Sequence, residues 1–163
     1  MKIYGVTGWK NSGKTGLMER LVSDMARRGL SVSTIKHAHH TFDFDYPGKD
    51  SHRHRVAGAR EVLLSSRKRF ALMHEIGKGQ EPPLTELLAK LSPVDIVLIE
   101  GYKKDKHPKI EAHRSQTGQP LIASNDKTIR AIASNVDLKL DRKVFDLDDT
   151  DAISKFILSE VGL

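Results

Sequence analysis

The octapeptide GWKNSGKT at residues 8–15 has the residue types and the spacing to bind phosphate. It fits G-x-x-x-x-G-K-[ST], in which Gly8 and Gly13 let the backbone curve around an anion. Successive N–H groups of Trp9, Lys10, Asn11 and Ser12, with the start of a following helix, would face the phosphate oxygens. Lys14 is placed to reach the β and γ phosphates, and Thr15 to set its hydroxyl on Mg2+. A second element, VDIVLIEGY at residues 94–102, ends an apolar run at Glu100 and Gly101. That run would lie beside the first strand and deliver Glu100 near the phosphates. There it could hold a magnesium-bound water, orient an attacking water or pair with a basic residue. Asp95 falls toward the other end of the run and is a poor Walker B carboxylate. Lys14 and Glu100 are thus the candidate catalytic groups, and Thr15 and Glu100 the candidate metal groups.

Histidine is concentrated elsewhere. Five of the eight histidines fall between His37 and His54. The imidazoles of His37, His39 and His40 suit transition metal, phosphate or proton exchange, and Asp43 and Asp45 are candidates to reach Mg2+ after loop closure. The spacing does not specify a permanent zinc site. From Lys49 to Arg69 there are seven Lys or Arg against Asp50 and Glu61, a local net of +5 within a chain whose formal charge is +6. Lys49, Arg53 and their neighbours could receive a second phosphorylated ligand or line a subunit groove; a solvated helical face is the alternative. Nucleic acid is not expected, because the basic residues are not interleaved with aromatics and no recognition motif is present.

A base-reading N-K-x-D string is absent. Asn125, Asp126 and Lys127 occur in another order, and Asn135 and Asp137 follow an apolar strand; turn chemistry accounts for both groups equally well. The residues alone lead as far as a purine nucleoside triphosphate.

These groups need a scaffold to hold them. Residues 2–7 read as a strand stopping at Gly8, and Leu17, Leu21, Val22 and Met25 repeat at helical spacing up to a stop near Gly29. Residues 31–36 form the next strand, so the first crossover has the length of a parallel βαβ unit. A short helix capped by Asp50 or Ser51, a hairpin of residues 62–65 and 70–73, and a helix opened by Pro82 and Pro83 follow. Residues 94–99 are too apolar for an edge and predict a central strand. Further strands are expected at 109–113, 120–123, 129–133 and 144–146, before a terminal helix running through Val161. The expected class is α/β: one P-loop NTPase-like three-layer domain over residues 1–163, its sheet predominantly parallel, with the hairpin a candidate antiparallel extension. With 163 residues and no cysteine, disulfides, thiolate metal sites and cysteine nucleophiles are excluded. No run reaches the 18 or so apolar residues of a membrane span, and the start lacks a signal-peptide pattern, so no membrane association and a cytoplasmic location are expected.

GWKNSGKT, IKHAHH at residues 35–40, DYPGKDSHRHRVAGA at 45–59 and IEGYK at 99–103 together resemble the MobB family, the molybdopterin-guanine dinucleotide biosynthesis adapter proteins, over nearly the whole chain. The resemblance implies a homodimeric GTP-binding protein with weak hydrolysis, acting beside the enzyme that attaches GMP to molybdopterin. It further implies that Lys14 and Thr15 hold GTP phosphates and Mg2+, and that Glu100 ends the Walker B strand. The segment with His37, His39, His40, Asp45, Lys49 and Asp50 would then bear on molybdopterin or on molybdopterin-binding partner proteins. The signature lysine of dimeric P-loop proteins would fall where Trp9 stands; Lys10 comes one position later. Two other functions fit the residues alone: a P-loop small-molecule kinase and a nonenzymatic nucleotide sensor.

Overall fold

The computed structural model describes residues 1–38, 43 and 45–163. These form two compact units, Met1–His37 with Leu91–Leu163, and Ala38–Lys90. His39 and His40 lie outside the described residues.

The first unit is built on strands β1 (Lys2–Thr7) and β2 (Val32–Lys36), joined through helix α1 (Lys14–Arg27). The second unit holds α2 (Asp50–Val56), the strands β3 (Glu61–Ser65) and β4 (Phe70–His74), and α3 (Leu84–Ala89). The chain then returns to the first unit with β5 (Ile96–Glu100), β6 (Lys109–His113), β7 (Ile129–Ser134), β8 (Lys143–Asp146) and α4 (Thr150–Val161). The main sheet has the order β2-β5-β1-β6-β7-β8. Every pairing in it is parallel. The antiparallel pair β3-β4 is a two-stranded sheet of its own rather than an extension of the large one.

One face of the large sheet is covered by α1 and α4. Tyr4, Val6, Ile96, Leu98, Ile110 and Ala112 meet Leu17, Leu21 and Met25 from α1 and Ile153 and Ile157 from α4. Leu17 and Leu21 are completely buried, a contribution of roughly 2 kcal/mol each at usual transfer values. The opposite face is covered in part by a 3-10 turn, Ile122–Ser124, through Ala123 against Ile129 and Ile132. Helix, sheet and covering turn make the three layers of the expected class.

Particular residues set the element boundaries. Helix α1 stops because Gly29 takes φ 88° and turns the chain back, its N–H donating to the Ala26 carbonyl. Asp95 fixes the amino ends of the two neighbouring strands: its carboxylate accepts from the Ser31 N–H at 2.7 Å and the Ser31 hydroxyl at 2.6 Å. Those bonds hold its pKa below the usual carboxylate range.

Two local expectations are corrected. Residues 120–123 form no strand, because the buried Glu111 carboxylate draws in the N–H groups of Ile122 and Ala123 at 2.9 and 2.8 Å and curls the segment into a turn. Neither Asp50 nor Ser51 caps α2: the N-cap is Lys49, without a side-chain cap bond, and the Ser51 hydroxyl donates instead to Asp45 at 2.7 Å.

Candidate functional site: the phosphate loop and its neighbours

The loop after β1 is shaped by backbone conformations that only small or turn-forming residues tolerate. Gly8 has φ 141°, and a Cβ there would collide with the Ala112 carbonyl and stand 2.5 Å from the Ser12 hydroxyl. Asn11 is left-handed at φ 64°, and Gly13, the N-cap of α1, at φ 93°. Helix α1 therefore starts without a side-chain cap and without an acid in its first turn. Its leading N–H groups and the positive end of its dipole are left for an anion. Among the described residues, Ser12 Oγ and Thr7 Oγ1 are buried without a hydrogen-bond partner beside this loop.

Lys14 folds back over the loop and donates to the Trp9 carbonyl at 2.6 Å. Burial pushes its amine below the ordinary lysine range; the Glu100 carboxylate opposes that shift, and the charges of Lys103 and Lys36 add to it. Trp9 is pinned in turn: its indole N–H donates to Pro120 at 2.7 Å, and the Lys103 ammonium sits 4.3 Å above the ring centre. Lys10 is exposed.

Glu100 ends β5, opposite Val6 of β1 and Lys36 of β2. Its carboxylate lies 3.5 Å from the Lys36 ammonium. Thr15, Lys36 and Glu100 border one cavity of about 490 Å³. A hydroxyl and a carboxylate facing one space suit a hard divalent cation, and the loop N–H groups suit phosphate. The residues fit a magnesium-bound nucleoside triphosphate.

His37 follows β2, donates its backbone N–H to Glu100 and stacks on Tyr102, with ring centres 4.6 Å apart. Gly101 and Tyr102 are consecutive left-handed residues, and a Cβ on Gly101 would press on His37 at 3.0 Å. The sequence strings ending β2 and β5 are thus one structural feature, because the two strands are neighbours.

Lys49, the N-cap of α2, and Arg53 on α2 belong to the second unit and are exposed. The basic run around them is partly neutralised: Arg55 binds Asp43 at 2.7 Å, Glu75 at 2.8 Å and Asp45 at 3.3 Å. Among the described residues no group of His, Asp and Glu is arranged to hold a metal ion.

The candidate base readers separate cleanly. Asn125, Asp126 and Lys127 precede β7, at the edge of the sheet away from the phosphate loop, and Asp126 is engaged by Thr128 at 2.6 Å and by Lys109 at 3.9 Å. Asn135 and Asp137 follow β7, at the same edge as the loop. Several neighbours of the loop had no trace in any motif. Arg114 is one: its Nε lies 3.0 Å from the point where a Gly13 Cβ would stand. The Lys36–Glu100 pair and the Lys103–Trp9 contact join residues of separate motifs, and each needs the strand order to be known.

Comparison with known proteins agrees with this arrangement. A family model described as "Molybdopterin guanine dinucleotide synthesis protein B" (MobB) matches residues 3–135. The chain is 38% identical to the molybdopterin-guanine dinucleotide biosynthesis adapter protein of Haemophilus influenzae, covering 95% of this chain and 86% of that one. It is 36% identical to the adapter protein of Escherichia coli, covering 96% and 91%. The crystal structure of a MobB protein homolog from Bacillus stearothermophilus superposes with a TM-score of 0.73 at 30% identity, over 99% of both chains. With its phosphate loop, its parallel sheet and relatives aligned along nearly its full length, the chain belongs to the MobB family.

Proposed function

We propose that the chain is a magnesium-dependent GTP-binding adapter with weak hydrolytic activity, assisting the enzyme that attaches GMP to molybdopterin in molybdenum cofactor biosynthesis. The relatives' names support the pathway. The observation that carries the nucleotide half is the uncapped start of α1 behind Gly8 and Gly13, with Thr15 and Glu100 bordering one cavity.

In this reading the loop N–H groups and the Ser12 hydroxyl bind phosphate oxygens, and Lys14 leaves the Trp9 carbonyl to pair with them. Magnesium, when bound, supplies positive charge against the phosphates. Thr15 and Glu100 would hold it directly or through water, with Glu100 giving up its contact with Lys36. Hydrolysis is slow, because among the described residues bordering the cavity with Thr15 the carboxylates are Glu100 and Glu19, and no histidine is among them.

The test is calorimetric. Mg-GTP binds the wild type, and Lys14→Ala weakens it roughly 10- to 100-fold, the value of a charge-assisted hydrogen bond. No magnesium-dependent binding to the wild type, or unchanged binding to Lys14→Ala, defeats the proposal. Phosphate release that rises when the GMP-attaching enzyme is added supports the adapter role.

The proposal extends to a homodimer. The hairpin exposes Leu63, Leu72 and Phe70 at 58%, 50% and 72%, and Leu63 lies directly across from Leu72. Such a face suits a second copy. Sedimentation that finds a monomer across a wide concentration range removes this part. Exposed Lys49 at the start of α2 and Arg53 on it are proposed to meet the phosphate of molybdopterin or an acidic partner.

A further inference from the structure

A second cavity, of about 310 Å³, opens at the carboxyl ends of β7 and β8, between Ser134, Asn135, Val136 and Asp137 on one side and Val144 and Asp146 on the other. It lies on the same edge of the parallel sheet as the phosphate loop, because all these strands run in one direction. Strand β7 is two places from β1, a lateral step of roughly 10 Å at ordinary strand spacing. That is about the reach of a ribose and its first phosphate.

A continuous series of contacts joins the two places. Arg114 stands beside Gly13 of the phosphate loop. The next residue, Ser115, donates its N–H to the Asn135 side-chain oxygen at 3.0 Å, and the Asn135 amide donates to Gln116 at 2.9 Å. Asn135 has therefore spent both ends of its amide on holding residues 114–116 against the mouth of the cavity. Asp137 is different. It is exposed, and among the described residues its carboxylate makes no hydrogen bond or ion pair.

We infer that this cavity takes the nucleoside half of the ligand, and that Asp137 selects a guanine base. The inference rests on the nucleotide reading above. A carboxylate offers two acceptors side by side and no donor. Guanine presents two adjacent donors, N1–H and the 2-amino group, so both oxygens are satisfied at once. Adenine puts a lone pair at N1, which a carboxylate repels. The Arg114 guanidinium, beside Gly13, would meet the phosphate nearest the ribose. Val136 and Val144 supply apolar surface for the base.

Calorimetry in magnesium with GTP, ATP, XTP and tripolyphosphate, a probe with no base, tests this on the full chain. Wild type should bind GTP at least about tenfold more tightly than ATP or tripolyphosphate. Asp137→Asn should lose roughly 10- to 100-fold for GTP and gain for XTP, whose C2 carbonyl accepts from the new amide. Asp137→Ala should lose GTP without gaining XTP, which separates base reading from general damage to the fold. If wild type binds tripolyphosphate and Lys14→Ala loses it, while both Asp137 variants keep the wild-type order of nucleotides, the base site is wrong and the phosphate loop stands. If wild type binds neither tripolyphosphate nor any nucleotide, the nucleotide reading fails and the base site goes with it.

Discussion

A methyl group on Gly8 would meet the Ala112 carbonyl and the Ser12 hydroxyl, both of which line the phosphate loop. Gly8→Ala should therefore cost about 1–3 kcal/mol in urea unfolding and lower nucleotide affinity as well. Gly29 makes a useful contrast. It also has positive φ, but nothing stands within 4 Å of its missing Cβ, so Gly29→Asn should unfold within roughly 1 kcal/mol of wild type. His107 gives a pH dependence. It is buried beside Gly5, and both ring nitrogens lack a partner among the described residues. Burial, with help from the Lys109 charge, pushes its pKa down to about 4, against the pull of Asp105 and Asp126. Between that value and its ordinary one near 6.5 the folded chain binds fewer protons than the unfolded chain. Stability is then full above pH 6.5 and falls as the pH drops toward 4, by at most roughly 3 kcal/mol from this group. His107→Gln should flatten that limb of the stability–pH curve.

At the scale of elements, the bonds from Asp95 to Ser31 align the amino ends of β2 and β5, and so bring Lys36 level with Glu100 at the other ends. Asp95→Ala should cost about 1–2 kcal/mol in denaturant unfolding, since it leaves the Ser31 N–H without its acceptor. Elements whose cause is local were readable from the sequence. The strand β1 and the helix α1 follow from a β-branched run and a 3.6-residue apolar repeat, and β5 from an apolar run that could only be central. The turn at Ile122–Ser124 was not readable, because its cause is a carboxylate eleven residues earlier, inside another strand. The same division holds at the site. Gly8, Gly13, Lys14, Thr15 and Glu100 announce themselves by spacing. Arg114, the Asn135 tie and the Lys36–Glu100 contact depend on which strands are neighbours, which no single stretch of sequence encodes.

Across the whole molecule, apolar burial is uneven. Completely buried residues such as Tyr4, Leu17, Leu98, Ile110 and Ile132 all lie in the first unit, whereas among the described residues of the second the buried apolar ones are Val62 and Leu84. Hydrogen exchange should find the slowest amides in β1, β5 and β6 and fast ones in the β3-β4 hairpin at low protein concentration. The hairpin amides should slow as concentration rises if a second copy covers Leu63, Leu72 and Phe70. The position of β1 in the sheet also sets an order of events during synthesis. Both of its neighbours, β5 and β6, come from residues 96–113, some ninety or more positions downstream. A nascent chain that has emerged only through the first helix has the whole GWKNSGKT string and none of the walls that curve it. The candidate site, opened by the loop after β1, can be assembled only after residues 96–113 have left the ribosome.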